Sequence, residues 1–210
     1  MEILNEIKYL KNYVKKIYLK NDPAHDFQHI MRVYKNAEKI CKTEKANKKL
    51  VLISVLLHDI VKIPHSSKSS KSSADASAEK SVKILKKMNM SQIEIDIISE
   101  AISNHSFTKK KISNSIEGKI LQDADRLDAI GAIGISRAFC VSGVKNRPFY
   151  KIDNPFAKKR NLDDKKWALD HFFKKLFTLE KQMNTKYAKI EAKRRTKILR
   201  KFLDDLKREI

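Results

Sequence analysis

Apolar residues recur along most of the chain with a helical period, and no strand longer than a few residues suggests itself. Residues 2 to 20 place Ile3, Leu4, Ile7, Leu10, Val14, Ile17 and Tyr18 at helical spacing with lysines between them, which predicts an amphipathic first helix. Asn21-Asp22-Pro23 breaks it, and Asp22 before Pro23 predicts an N-cap for a second helix starting near Ala24, with Ile30, Val33, Ala37 and Ile40 as its buried stripe. The stretch from Val51 to Ile60 is different. It is apolar on nearly every side, as in a helix buried all round, and it ends in His58-Asp59. An imidazole and a carboxylate carried into a core cost several kcal/mol unless something pairs with them. Either a cation does so, or Leu57 ends the helix and the pair sits in a wet turn.

Proline at position 64 predicts the end of that helix, and residues 66 to 78, rich in Ser, Lys and Ala, read as a flexible loop that would serve as a lid or a plain linker. Helical signals return at Glu79 to Met88. After Ser91-Gln92-Ile93-Glu94, a capping-box pattern, Ile93, Ile97, Ile98, Ala101 and Ile102 predict a core face. That helix delivers Asn104-His105-Ser106. From Glu117, Ile120, Leu121, Ala124, Leu127, Ile130 and Ile133 recur at helical spacing, with Asp123, Asp125 and Asp128 among them. Gly131 and Gly134 would let a neighbouring helix approach closely. An irregular segment at 143 to 155 follows, then two long amphipathic helices, Trp167 to Met183 and Lys186 to Ile210. The fold class is therefore all-α, with a helical bundle over residues 1–140 and the irregular segment and carboxy-terminal helices of 141–210 packed on the same domain.

Composition narrows the function. The chain has 210 residues with 46 Lys and Arg against 25 Asp and Glu, a formal charge of +21, so a polyanion partner has to be weighed. The excess is mostly lysine spread along the whole chain, which favours a small anionic substrate over nucleic acid. No apolar run reaches the roughly 20 residues of a membrane span, and the amino terminus lacks the features of a signal peptide, so a cytoplasmic location is expected. Cys41 and Cys140 belong to no paired metal motif and read as buried apolar residues.

His29, His58, Asp59 and Asp125 then offer two imidazoles and two carboxylates from three separate helices. Such a nitrogen and oxygen set suits Mn²⁺, Fe²⁺, Co²⁺ or Ni²⁺ with positions left open, whereas a closed structural zinc site favours thiolates. His25 and His29, four apart, and Arg32, three further on, would share one side of the second helix. Arg32 is a natural phosphate fork.

The order His…His-Asp…Asp resembles that of the HD-domain superfamily of metal-dependent phosphohydrolases. The strings His25-Asp-Phe-Gln-His-Ile-Met-Arg-Val33 and Gln122-Asp-Ala-Asp-Arg-Leu-Asp-Ala-Ile-Gly-Ala-Ile-Gly134 resemble its small bacterial-type branch. Leu56 to Ile60, Ser73 to Glu79, Asn104 to Phe107 and Met183 to Thr185 extend the likeness over nearly the whole chain. The resemblance implies His29, His58, Asp59 and Asp125 as ligands of a divalent ion, Mn²⁺ first, with Co²⁺, Ni²⁺, Fe²⁺, Mg²⁺ and Zn²⁺ as alternatives. It also implies that His25, Asp26, Arg32, His65, His105 and Asp128 surround the metal or meet phosphate, and that Asp59 orients a metal-activated water. Arg32, Lys62, His65 and His105 would meet the phosphoryl charge. The expected activity is hydrolysis of (deoxy)nucleoside triphosphates to monophosphate and pyrophosphate. A phosphodiesterase acting on a cyclic or oligonucleotide, and a basic nucleic-acid-binding helical protein, are the alternatives. A monomer and a homodimer both fit.

Overall fold

The computed structural model describes residues 2–18, 26–63 and 72–210, with side chains from residue 5. Among them are nine α-helices, two 3₁₀ segments and no strand, the all-α architecture expected. The chain forms two compact units, Met1–Asp125 and Arg126–Ile210.

In the first unit α3 (Lys48–Leu57) packs against α1 (Glu2–Tyr18), α2 (Phe27–Ile40), α4 (Ser73–Lys87) and α5 (Gln92–Asn104). Neighbours on so many sides account for its continuous apolar sequence: every residue from Leu50 to Leu57 is buried. Ser54 is accommodated because its hydroxyl donates to the Leu50 carbonyl at 2.8 Å. The stripe Ile30, Val33, Ala37 and Ile40 of α2 is fully buried, as the spacing predicts.

Three local expectations need correction, each because a cap sets the helix start. Asp26 caps α2 by accepting from the His29 N–H at 2.9 Å, so that helix begins at Phe27, not near Ala24; Asp22 and His25 lie outside the described residues. The stretch expected as a loop from 66 to 78 is helical from Ser73, because the Ser72 hydroxyl caps Asp75 and the alanines that follow favour helix. Residues 66 to 71 of that stretch, and Pro64 and His65 before it, lie outside the described residues. In α5 a capping box between Ser91 and Glu94 fixes the register so that Ile95, Ile98, Ala101 and Ile102 face inward, while Ile93 is 75% exposed and Ile97 only half-buried.

Helix α6 (Ile116–Asp128) does not run on through Ile133 as its period predicts. Ile130 is extended and Gly131 takes φ +78°, a conformation glycine adopts without strain, and α7 (Gly131–Val144) begins there. Ile133 is consequently 39% exposed. A side chain at Gly134 would strike the Ala129 carbonyl oxygen, so this glycine serves the tight junction itself rather than a neighbouring helix.

The second unit continues with α8 (Ala168–Lys174), a 3₁₀ segment from Leu176 to Gln182, and α9 (Lys186–Glu209). The long helix expected from Trp167 to Met183 is thus broken, at Lys175, whose φ of −128° is not helical. The rings of Phe139, Phe149, Phe172 and Phe202 pack together with centroids 5.1 to 6.0 Å apart. Cys41 and Cys140 are free thiols and only half-buried.

Candidate metal centre

The cluster lies in the first unit, where the ends of two helices and the sides of two others converge. His58 caps the carboxyl end of α3, so Leu57 does end that helix. The turn nevertheless encloses His58 completely and Asp59 in large part. His58 has no exposed surface, and the Asp59 side chain beside it is 23% exposed. His105 caps α5 in the same way, and His29 and Asp125 project from α2 and α6.

Both cap histidines are oriented by their own helices. His58 Nδ1 lies 2.7 Å from the Val55 carbonyl and His105 Nδ1 lies 2.6 Å from that of Ile102. Bonds to carbonyls require Nδ1–H, so the neutral His58 ring presents an Nε2 lone pair, whereas Nε2 of His105 faces the Asp59 carboxylate and bonds to it by carrying a proton of its own. Around these atoms His105 Nε2 is 3.4 Å and His58 Nε2 3.8 Å from the Asp59 carboxylate, and His29 Nε2 is 3.6 Å from that of Asp125. The imidazoles of His58 and His105 meet edge to face with centroids 4.9 Å apart, and those of His29 and His58 lie 5.7 Å apart.

Electron-rich atoms therefore crowd one small volume. Two triads, His29-His58-Asp125 and His58-Asp59-His105, each bring three donor atoms within 4.8 Å, and they share His58. The His58 Nε2 is buried with no hydrogen-bond partner among the described residues. An orphaned buried acceptor is costly, and a cation is the partner its lone pair suits. Donors bound to one first-row ion at about 2.1 Å lie roughly 3 to 4 Å apart, and the three closest imidazole–carboxylate pairs here, at 3.4, 3.6 and 3.8 Å, fall in that range.

Electrostatics agree with that reading. Burial pushes the His58 pKa below its ordinary value, keeping the ring neutral and able to donate its lone pair. Burial works against the Asp59 charge, yet His58 and the hydrogen-bonded His105 hold its carboxyl far below the ordinary carboxylate range. For His105 burial likewise opposes the charge, but the hydrogen bond to Asp59 prevails and raises its pKa.

The structure thus brings together His29, His58, Asp59 and Asp125, and places His105 among them as close to Asp59 as any other imidazole. Arg32, half-buried, follows His29 by one turn of α2, and Lys62, exposed, follows Asp59 by three residues. Asp26 serves as a helix cap. Asp128 belongs to the second unit, where its carboxylate takes Arg137 at 2.9 Å.

Two supporting residues are given no role by the sequence. Asn36, two turns after His29, donates to the Ala124 carbonyl at 3.1 Å, tying α2 to α6 next to Asp125. Gln122, with no exposed surface, donates to the Asn104 and Lys111 carbonyls at 2.8 and 2.7 Å and accepts from the Ser113 N–H. It thereby joins the helix of Asp125 to the residue before His105. A polar residue on an otherwise apolar face was the one available signal for either.

The fold and the His and Asp cluster define a protein class. The chain belongs to the HD-domain family, whose model matches residues 26–130. It is 32% identical to the Bacillus subtilis protein YpgQ over 216 aligned positions, spanning all of this chain and 96% of that one. Among solved structures, YpgQ in complex with ADP superimposes with a TM-score of 0.78 at 30% identity, covering 100% of this chain and 97% of that one. An HD-superfamily hydrolase from Bacillus thuringiensis gives a TM-score of 0.76 at 32% identity, covering 99% and 97%. These relatives support a hydrolase, in agreement with the resemblance carried by the motifs.

Proposed function

We propose that this chain is a divalent-metal-dependent phosphohydrolase acting on nucleotides, cleaving (deoxy)nucleoside triphosphates to monophosphate and pyrophosphate. The observation that carries the reading is the buried, unpartnered Nε2 of His58 where two triads of nitrogen and oxygen donors meet. The YpgQ complex with ADP supports a nucleotide as the ligand class.

His29, His58, Asp59 and Asp125 hold the ion in this reading, with Mn²⁺ the first candidate because the donors are mixed imidazole and carboxylate. A bound divalent ion supplies Lewis acidity toward phosphoryl oxygens and acidifies water at neutral pH. Asp59, kept ionised, accepts a hydrogen bond from the attacking water and aims it at phosphorus. His105, in contact with Asp59, fixes that carboxylate and offers a proton-bearing ring to the developing charge. Arg32 takes phosphate oxygens through its forked N–H groups, and Lys62 adds a mobile positive charge. His65 is assigned the same phosphate role from the motif resemblance.

The test is product analysis of a nucleotide panel with Mn²⁺, Co²⁺, Ni²⁺ or Mg²⁺, wild type beside Asp59→Ala. Pyrophosphate and monophosphate should appear with wild type and fall more than about a hundredfold in the variant. Stepwise loss of phosphate, or cleavage of diesters alone, would replace the pyrophosphohydrolase assignment. Metal binding with no turnover of any nucleotide would overturn it.

A further inference from the structure

From Lys189 to Lys201, every exposed position of α9 is basic except Ile190. Lys189, Lys193, Lys197 and Lys201 stand four apart, so they form a single ridge along the helix, about 18 Å long at 1.5 Å per residue. Arg194 and Arg200 flank it. Glu191, on the side of α9 away from the ridge, is committed to Arg194 and Arg195, while Asp204 and Asp205 follow Lys201 by one turn, Asp205 paired with Arg208; none of the four lysines has an ion pair among the described residues. Like charges at four-residue spacing repel and destabilise a helix. Chance lysine enrichment would scatter along α9 with acids between; here the charge is sorted to one side.

We infer that this ridge binds duplex nucleic acid through its phosphate backbone, a function separate from the nucleotide chemistry proposed above and independent of it. A membrane surface fits poorly. The apolar side of α9, with Ala188, Ala192, Leu199 and Leu203, is buried within its own unit, and Ile190 alone would face lipid, whereas interfacial helices insert a whole apolar face. Single strands fit poorly as well, because their recognition relies on aromatic platforms and the exposed positions from 189 to 201 include no aromatic residue. A straight row of cations on a rigid helix matches the evenly charged, stiff backbone of a duplex. With no base-reading side chain on the ridge, binding is indifferent to sequence.

The experiment measures binding of the full chain to a 20-base-pair duplex DNA across a salt series. Beside wild type stands a variant with Lys189, Lys193, Lys197 and Lys201 all changed to Gln. A charge-matched control changes the exposed lysines Lys15, Lys16, Lys86 and Lys87 to Gln. The ridge variant should lose at least about tenfold in affinity at low salt and flatten the log–log salt slope by about 3.6, the loss of four phosphate contacts. The control should stay within about threefold, and changing the four ridge lysines to Arg should retain binding. Circular dichroism on each variant confirms that α9 is intact. An equal loss in the control would reduce the effect to net charge and overturn the proposal. So would no binding of wild type to the duplex, stronger binding to a single strand of the same length, or binding to phosphatidylserine vesicles alone.

Discussion

Asp170 in the second unit and Asp59 in the first are both carboxylates drawn in from solvent, and the chain treats them in opposite ways. Asp170 is saturated by the protein itself. Its two oxygens take Arg160 in a fork at 2.5 and 2.8 Å, and the Asp163 N–H adds a third bond at 2.6 Å. Its side chain is 1% exposed. Asp59 has imidazoles at 3.4 and 3.8 Å, and the nearer nitrogen of the second, His58 Nε2, has no hydrogen-bond partner among the described residues. Where the fold satisfies a buried charge completely, the charge belongs to the architecture, here pinning the loop around 160 to the start of α8. Where the fold gathers donors and leaves one lone pair unanswered, it has prepared a place for something else.

The largest effect should come from breaking the saturated pair. Asp170→Ala leaves the Arg160 guanidinium and the Asp163 N–H without their acceptor, and about 3 to 5 kcal/mol of stability should be lost in urea denaturation. A loss below about 1 kcal/mol would mean that the fork is ornamental and would erase the contrast. The complementary prediction concerns the unsaturated site. A divalent ion at a hundred times its dissociation constant should raise the unfolding free energy of wild type by about 2.7 kcal/mol, reversibly with chelator. Asp59→Ala and His58→Ala should show little or none of that increment. Because ligand imidazoles must be neutral, the increment should shrink at acid pH, and burial of His58 holds that loss below the ordinary imidazole range.

How much of this was legible beforehand depends on whether a residue announces itself by pattern or by partner. Helical periodicity gave the all-α class and the buried faces of α2 and α3. His58-Asp59 stood out because polar residues closing an apolar run are anomalous. The breaks were harder. The period of α6 carries on through Ile130 and Ile133, and only the positive φ at Gly131 shows that the helix stops. Lys175 likewise interrupts a helical pattern that looks continuous. Register in α5 follows from the Ser91–Glu94 cap, a local bond that outweighs the apolar preference of Ile93. Asp170 went unnoticed because its partner, Arg160, sits ten residues away in an irregular segment where no spacing rule applies. Gln122 was quoted within a motif, yet its role is defined by carbonyls that become neighbours only in the folded unit.

Gln122 also supplies an uncharged version of the comparison, since it is a buried polar group fully satisfied within the first unit. Gln122→Met keeps its volume but leaves the Asn104 and Lys111 carbonyls without their donor. The expected cost is about 2 kcal/mol, smaller than for Asp170 because no charge is stranded. Metal affinity measured by titration should weaken too, as α6 and the end of α5 lose their tie. Unchanged affinity with lowered stability would confine Gln122 to the architecture.

The smallest effect is expected at Glu191, which has the geometry of the Asp170 fork but takes it from a guanidinium, that of Arg194, that stands in water. Arg194 first, against a modest opposing effect of burial, and then Arg195 hold its carboxyl down at about 2, below its ordinary 4.5. A pKa depressed by folding means that the unfolded chain binds the proton more readily, so the contribution is complete above about pH 4.5 and disappears as pH falls toward 2. Arg194 is 62% exposed, so water and salt screen the pair, and the contribution at pH 7 should stay below about 1 kcal/mol. The stability difference between wild type and Glu191→Gln should therefore be small at pH 7, diminish in high salt and close as pH drops from 4.5 to 2. A difference that persists at pH 2 would assign the effect to packing rather than charge. One as large as that of Asp170→Ala would show that enclosure of the partner is not what separates the two forks.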